Sequence, residues 1–292
     1  MSMGRPFRRQ QGTRAQPYWR YGLEVFPIEF TSEGQRVQGR FFQAVENDEP
    51  VTLLFVPGWP ADPEDFLGLG SSLSHQGINV MEFDPRGMQE SEGVYTHTGA
   101  LLDISAALNW LRTVGASYRF RINPIKLILG GFSNGGGLAL AYAARDPSIK
   151  SLISCAANDF GQFARQIQAD ATFSRNVHAF LSSTQAPKGS VRFDLEGSMK
   201  ELIDRPDIFG LRENARHLAD RRILMFGGWE DQSATIDDYQ LPFYRSLKAA
   251  GAQDVTFITY HTNHNFSNVR MKLVADIAAW LLHGEKSNSI LS

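Results

Sequence analysis

The chain alternates two hydrophobic periodicities from residue 21 onward. Short, continuous apolar runs of strand length give way repeatedly to apolar residues at helical spacing. Leu23–Phe30 and Arg36–Val45 read as two strands joined by the Ser32-Glu33-Gly34 turn. Val51–Val56, Ile78–Phe83, Ile125–Leu129, Ser151–Ala156, Ile223–Phe226 and Val255–Tyr260 are runs of the kind that strands buried on both faces display. Between them, helices are expected over Pro63–His75 with Asp62 as N-cap, over Ala100–Val114 with Leu101, Leu102, Ile104, Leu108 and Leu111 at helical spacing, over Leu138–Ala144, and over Asn268–Leu282. This rhythm predicts an α/β fold: a mostly parallel eight-stranded sheet with helices on both faces.

One stretch breaks the rhythm. Between Asp159 and Asp220 no buried strand is evident, only helical patterns such as Phe160–Ile167, Val177–Leu181 and Ser198–Ile203. That is too long for a simple crossover. Residues 157–220 are therefore expected to form a helical cap inserted into a core of residues 21–156 and 221–292. The rival reading is a long crossover helix with an extended loop.

Composition narrows the function classes. Of 292 residues, 42% are hydrophobic and 21% charged, enough for one large core plus an accessory unit. The net charge of −2 gives no basic excess of the kind nucleic-acid binders carry, so no nucleic-acid partner is expected. Cys155 is the single cysteine, so no internal disulfide can form, and no Cys/His cluster suggests a metal. No run is long enough to span a bilayer, and no membrane association is expected. Residues 1–20 hold five arginines and no acid. A loose terminal extension is the expectation there, with an Arg-rich transit peptide as the alternative. The cytoplasm is the default location. Nothing fixes the oligomeric state, a homodimer included.

The chemistry concentrates at Gly131-Phe132-Ser133-Asn134-Gly135, a G-x-S-x-G pattern between an apolar strand and an Ala/Leu-rich helix. A serine hydroxyl is a weak nucleophile and must be raised into reach of a base. A sharp strand-to-helix turn does this at the cost of strained backbone and crowded neighbours, which Gly131 and Gly135 relieve. The helix start also aims N–H groups where negative charge will grow. The segment lacks the Gly-Lys-Ser/Thr ending of a P-loop, and no G-x-G-x-x-G register fits it.

Such an elbow needs an acid and then a histidine downstream, on loops at the same sheet edge. His75 and His97 precede it, His178 and His217 fall in the cap or before the next strand, and His283 ends the last helix. His261 and His264 remain, both after the Val255–Tyr260 strand. His264, deeper in the loop, is the expected base, and His261 a supporting residue. Asp231, in Gly227-Gly228-Trp229-Glu230-Asp231, is the expected orienting acid; Asp237 and Asp238 are expected to cap the next helix. The oxyanion donors are expected to be the backbone N–H groups of Asn134 and Trp59, with Gly58 letting the chain turn.

With these residues in view, the chain resembles the α/β-hydrolase superfamily over about residues 21–285, and is most similar to its dienelactone hydrolase and prolyl-oligopeptidase-like branch. Phe83-Asp84-Pro85-Arg86-Gly87 with Ser91-Glu92-Gly93, and His264 and Phe266 ahead of a helix ending Ala279-Trp280-Leu281, carry the rest of the likeness. The chain departs from the family in having Pro57-Gly58 where His-Gly is common, and Gln89 where a glycine is common. The resemblance implies hydrolysis of an ester or related acyl bond of a small molecule through an acyl-enzyme, without metal or cofactor. Phe160, Phe163, Phe173 and Phe180 suggest an apolar lid. A small peptidase or amidase, an acyltransferase and a non-catalytic binding protein are the alternatives on the same fold.

Overall fold

The computed structural model describes residues 18–20, 23–61 and 64–286. The strands are β1 (Tyr18–Arg20), β2 (Leu23–Ser32), β3 (Gln35–Phe42), β4 (Thr52–Val56), β5 (Asn79–Phe83), β6 (Leu127–Phe132), β7 (Ser151–Cys155), β8 (Arg222–Gly228) and β9 (Val255–Tyr260). The helices are α1 (Leu69–Ser74), α2 (His97–Leu111), α3 (Val114–Phe120), α4 (Ser133–Ala143), α5 (Phe160–Ala169), α6 (Ala171–Thr184), α7 (Leu195–Asp204), α8 (Pro206–Phe209), α9 (Leu211–Asn214), α10 (Leu241–Ala249) and α11 (Arg270–Lys286).

The eight expected strands all form and lie in one sheet of order β1-β2-β3-β5-β4-β6-β7-β8-β9. From β5 to β9 every pairing is parallel, while β1, β2 and β3 add an antiparallel edge. The β2–β3 hairpin turns through Glu33 (φ 47°) and Gly34 (φ 79°), the doubly left-handed geometry that matches strand twist. A ninth strand, Tyr18–Arg20, pairs with Leu23–Val25, so the end of the stretch expected to be a loose tail is ordered by ladder hydrogen bonds. Residues 1–17 lie outside the described residues.

Two apolar layers cover the sheet because successive strand residues face opposite sides. Along β4, Leu54 and Val56 join a layer with Ile104 and Leu108 of α2, Leu138 of α4 and Leu247 of α10. Leu53 and Phe55 join the other layer, with Leu69 and Leu73 of α1 and Leu273, Ile277 and Leu281 of α11.

Several local expectations need correction. The first helix was expected from Pro63 with Asp62 as cap; those two residues lie outside the described residues, and α1 begins at Leu69. Asp65 does the capping instead, its carboxylate accepting from Gly70 N at 2.8 Å and Ser71 N at 3.0 Å. On α2, Leu102, part of the apolar helical spacing, is exposed. The inward position beside it is Asp103, whose carboxylate takes the Arg86 backbone N–H at 2.8 Å and its guanidinium at 2.8 and 3.0 Å. Asp237 and Asp238 do not cap the turn before α10; Thr235 Oγ1 does, accepting from Asp238 N.

From β7 to β8 the chain runs through α5 to α9 without adding a strand to the sheet. Asp159 anchors this helical segment at its start. Its Oδ1 accepts from Gly161 N at 3.1 Å and Leu211 N at 3.0 Å, while Arg212 approaches Oδ2 at 3.1 Å. α6 buries no residue fully.

Candidate active site

β6 runs straight into α4, and Ser133 occupies the corner with φ of 51°. An L-residue pays for that left-handed angle in steric strain, of order 1–2 kcal/mol. The strain holds the side chain off the strand and helix axes. The flanking glycines make room for the corner. A Cβ on Gly131 would lie 2.5 Å from the Gly135 carbonyl group, and one on Gly135 would lie 2.2 Å from the Val56 and Pro57 carbonyl oxygens.

Two further parallel strands end at the same edge. β8 stops at Gly228, and Asp231 follows in a tight turn closed by its own N–H on the Gly228 carbonyl. β9 stops at Tyr260, and His264 follows in the next loop. The two loops are tied by the Trp229 N–H on the Tyr260 carbonyl and the Glu230 N–H on the Thr262 carbonyl. Ligand sites of open parallel sheets form at this carboxyl edge.

These loops bring Ser133, Asp231 and His264 together. His264 Nε2 lies 2.9 Å from Ser133 Oγ, and His264 Nδ1 lies 2.7 Å from Asp231 Oδ2. The other carboxylate oxygen, Oδ1, accepts from Ser233 N at 2.7 Å and Ala234 N at 3.0 Å, which fixes the carboxylate plane. The Asp231 side chain is fully buried. Burial alone would raise its pKa. The His264 hydrogen bond and charge and the two backbone N–H donors outweigh it, and the carboxyl is held below the usual carboxylate range. The Phe132 ring packs against the imidazole at 4.8 Å.

His261 stands apart. Its ring is largely exposed and meets Glu230 at 3.3 Å, so it does not support the Ser133 site directly. The chain turns at Gly58, whose carbonyl accepts the Ala61 N–H at 2.7 Å, and Gly58 also leaves space for the Phe132 ring, which a Cβ there would meet at 2.6 Å. Among the described residues, neither the Asn134 nor the Trp59 backbone N–H donates to a protein acceptor. Asn134 sits in the first turn of α4, where N–H groups have no intrahelical partner. The Trp59 indole donates to Thr184 Oγ1 at 2.9 Å and packs edge-on against Tyr95 and Phe193.

A cavity of about 340 Å³ opens at Ser133 and His264. Phe160, Phe163, Phe173 and Phe180 all line it, together with Val177, Leu181, Met199 and Leu202, and no Asp, Glu, Lys or Arg is in its lining. His97 is in the wall too. Chain order removes it as a base, but Thr96 just ahead of an apolar helical run was a readable N-cap signal placing His97 at the start of α2. A larger groove of about 1050 Å³ runs along β2, β3 and α1, and none of Ser133, Asp231 and His264 lines it.

Among the described residues no helix is long and apolar enough to cross a membrane. The family defined by the alpha/beta hydrolase fold matches residues 51–198. The chain is 32% identical over 158 residues to "Uncharacterized protein YfhR" of Salmonella typhi, covering 52% of this chain and 50% of that protein. It thus spans about half the length of the curated relative it matches. Its fold is similar to the Pyrococcus furiosus esterase Pf2001, with TM-score 0.64 and 16% identity over 92% of this chain and 96% of that one. It is also similar to the Pyrococcus horikoshii acylaminoacyl peptidase, with TM-score 0.63 and 16% identity, over 86% of this chain and 40% of that one. The family match covers half the chain and contains the Ser133 elbow: the chain belongs to the alpha/beta hydrolase fold family.

Proposed function

We propose that the protein is a serine hydrolase that cleaves uncharged, apolar carboxylic esters through an acyl-enzyme on Ser133. The observation that carries this reading is the unbroken relay from Ser133 Oγ to His264 Nε2 at 2.9 Å and from His264 Nδ1 to Asp231 at 2.7 Å. Ser133 gives its hydroxyl proton to His264 as its oxygen attacks the ester carbonyl carbon. Asp231 accepts the Nδ1–H, which fixes the tautomer and stabilises the imidazolium without itself taking a proton. The carbonyl oxygen, now anionic, is held by the N–H groups of Asn134 and Trp59. His264 then protonates the departing alkoxide. Water attacks the acyl-enzyme by the same steps in reverse and releases the acid.

Esters are favoured over peptides with a free amino terminus because the cavity lining offers no carboxylate to receive an ammonium group. Residues 157–220 act as a cap that supplies the apolar walls, on a core of residues 21–156 and 221–292. The test is a kinetic comparison of p-nitrophenyl esters with aminoacyl p-nitroanilides. Ester turnover that Ser133→Ala abolishes is expected. Preferential cleavage of the anilides would replace this reading with the peptidase one.

A further inference from the structure

The N–H groups of His97, Thr98 and Gly99 in the first turn of α2 have no intrahelical partner, and each finds one elsewhere. The Thr96 hydroxyl takes Gly99 N–H at 2.9 Å. The other two go to a distant residue. His97 N–H donates to Glu201 Oε2 and Thr98 N–H to Glu201 Oε1, both at 2.8 Å. His97 Nδ1 lies 3.4 Å from the same carboxylate, whose side chain is 17% exposed. An anion at a helix N-terminus is favoured by both the free donors and the helix dipole, so this is a strong point of attachment.

Glu201 belongs to α7, and it does not line the cavity. Its neighbours Ser198, Met199 and Leu202 do, as does its partner His97. The carboxylate therefore ties one wall of the cavity, carried by the insertion, to a helix of the core. The adjoining wall is of a different kind: α6 contributes Phe173, Val177, Phe180 and Leu181 but has no fully buried residue of its own.

We infer that Glu201 is a specificity-determining positioning residue. By gripping the start of α2 it fixes the α7 wall against which the distal apolar part of a long ester packs, while short esters that end near Ser133 do not need that wall. This rests on the esterase reading above. The test measures kcat/KM of wild type, Glu201→Ala and Glu201→Gln below their melting temperatures. One substrate pair varies the acyl side, p-nitrophenyl hexanoate against acetate; the other varies the alcohol side, hexyl acetate against ethyl acetate.

In Glu201→Ala the long-to-short ratio is expected to fall by about 10-fold in at least one pair, through a higher KM for the long ester. Glu201→Gln keeps one carbonyl acceptor and is expected to recover part of the ratio; it decides the matter should the alanine variant not fold. Equal losses on short and long esters, or ratios unchanged in both pairs, overturn the inference while leaving the esterase reading intact. A wild type that cleaves none of the four esters refutes that reading, and this inference with it.

Discussion

Replacing Asp231 by Asn tests the electrostatic core of the site while leaving its shape alone. The carboxylate has two jobs on its two oxygens: Oδ1 receives Ser233 and Ala234 N–H, and Oδ2 receives the His264 Nδ1–H at 2.7 Å. An asparagine can keep the first job by turning its carbonyl to the loop. Its amide NH₂ then faces Nδ1, which must become an acceptor, so the proton moves to Nε2. Nε2 can no longer accept from Ser133, and the base is lost. The imidazolium of the transition state also loses its counter-charge. A loss of this kind is of order 10⁴-fold in kcat, or about 5 kcal/mol of barrier. Because the loop bonds survive, KM and the melting temperature are expected to stay near wild type. Asp231→Ala should instead lose about 1–3 kcal/mol of stability as well, through the two orphaned N–H groups. Steady-state ester hydrolysis with parallel thermal unfolding decides it. An Asn variant folded like wild type and within threefold of its kcat would refute the reasoning.

Other consequences follow from single contacts. Gly135→Ala drives a Cβ into the Val56 and Pro57 carbonyl oxygens at 2.2 Å, so the elbow must open; calorimetry is expected to show about 3 kcal/mol of destabilisation with loss of ester turnover. Asp103→Ala leaves the Arg86 guanidinium buried beside only Ser32 and Glu33, and a loss of about 3 kcal/mol in urea unfolding is expected. For Glu201, burial acts to raise the pKa, but hydrogen bonds from His97 and Thr98 prevail and lower it from 4.5 to about 2. A carboxyl depressed in the folded state stabilises above its unfolded value and loses that contribution as pH falls through the folded one. Wild type should therefore exceed Glu201→Gln by roughly 2–3 kcal/mol at pH 7, a gap closing as pH drops from about 5 toward 2. A gap independent of pH would contradict that account.

The parts of the fold that could be read from the chain are those whose physics is local. The runs in β4, β5 and β6 are buried at every position because both faces of the sheet are covered, and apart from Thr52, Asn79 and Glu82 they hold no polar side chain, a pattern visible without coordinates. The Ser133 elbow is likewise a local object, a strand, a crowded corner and a helix in sequence. Asp231 and His264 were reachable because loops at the ends of parallel strands converge on one edge. What escaped depends on partners far away in the chain. Leu102 is exposed while its neighbour Asp103 is buried against Arg86, and nothing within α2 announces that partner. Gly58 also leaves room for the Phe132 ring, a neighbour that only the folded chain supplies. The pairing of β1 requires knowing where β2 runs. Glu201 on the first turn of α2 joins residues that share no motif, and only the packing of α7 against α2 brings them together.

The reactivity of one hydroxyl is the claim on which the rest stands, and a fluorophosphonate probe reads it directly. Intact-mass and peptide mapping of the labelled protein should find one adduct, on Ser133, that is absent from Ser133→Ala and strongly slowed in His264→Ala. Folded wild-type protein that takes no label, or a label that persists in Ser133→Ala, would contradict the account.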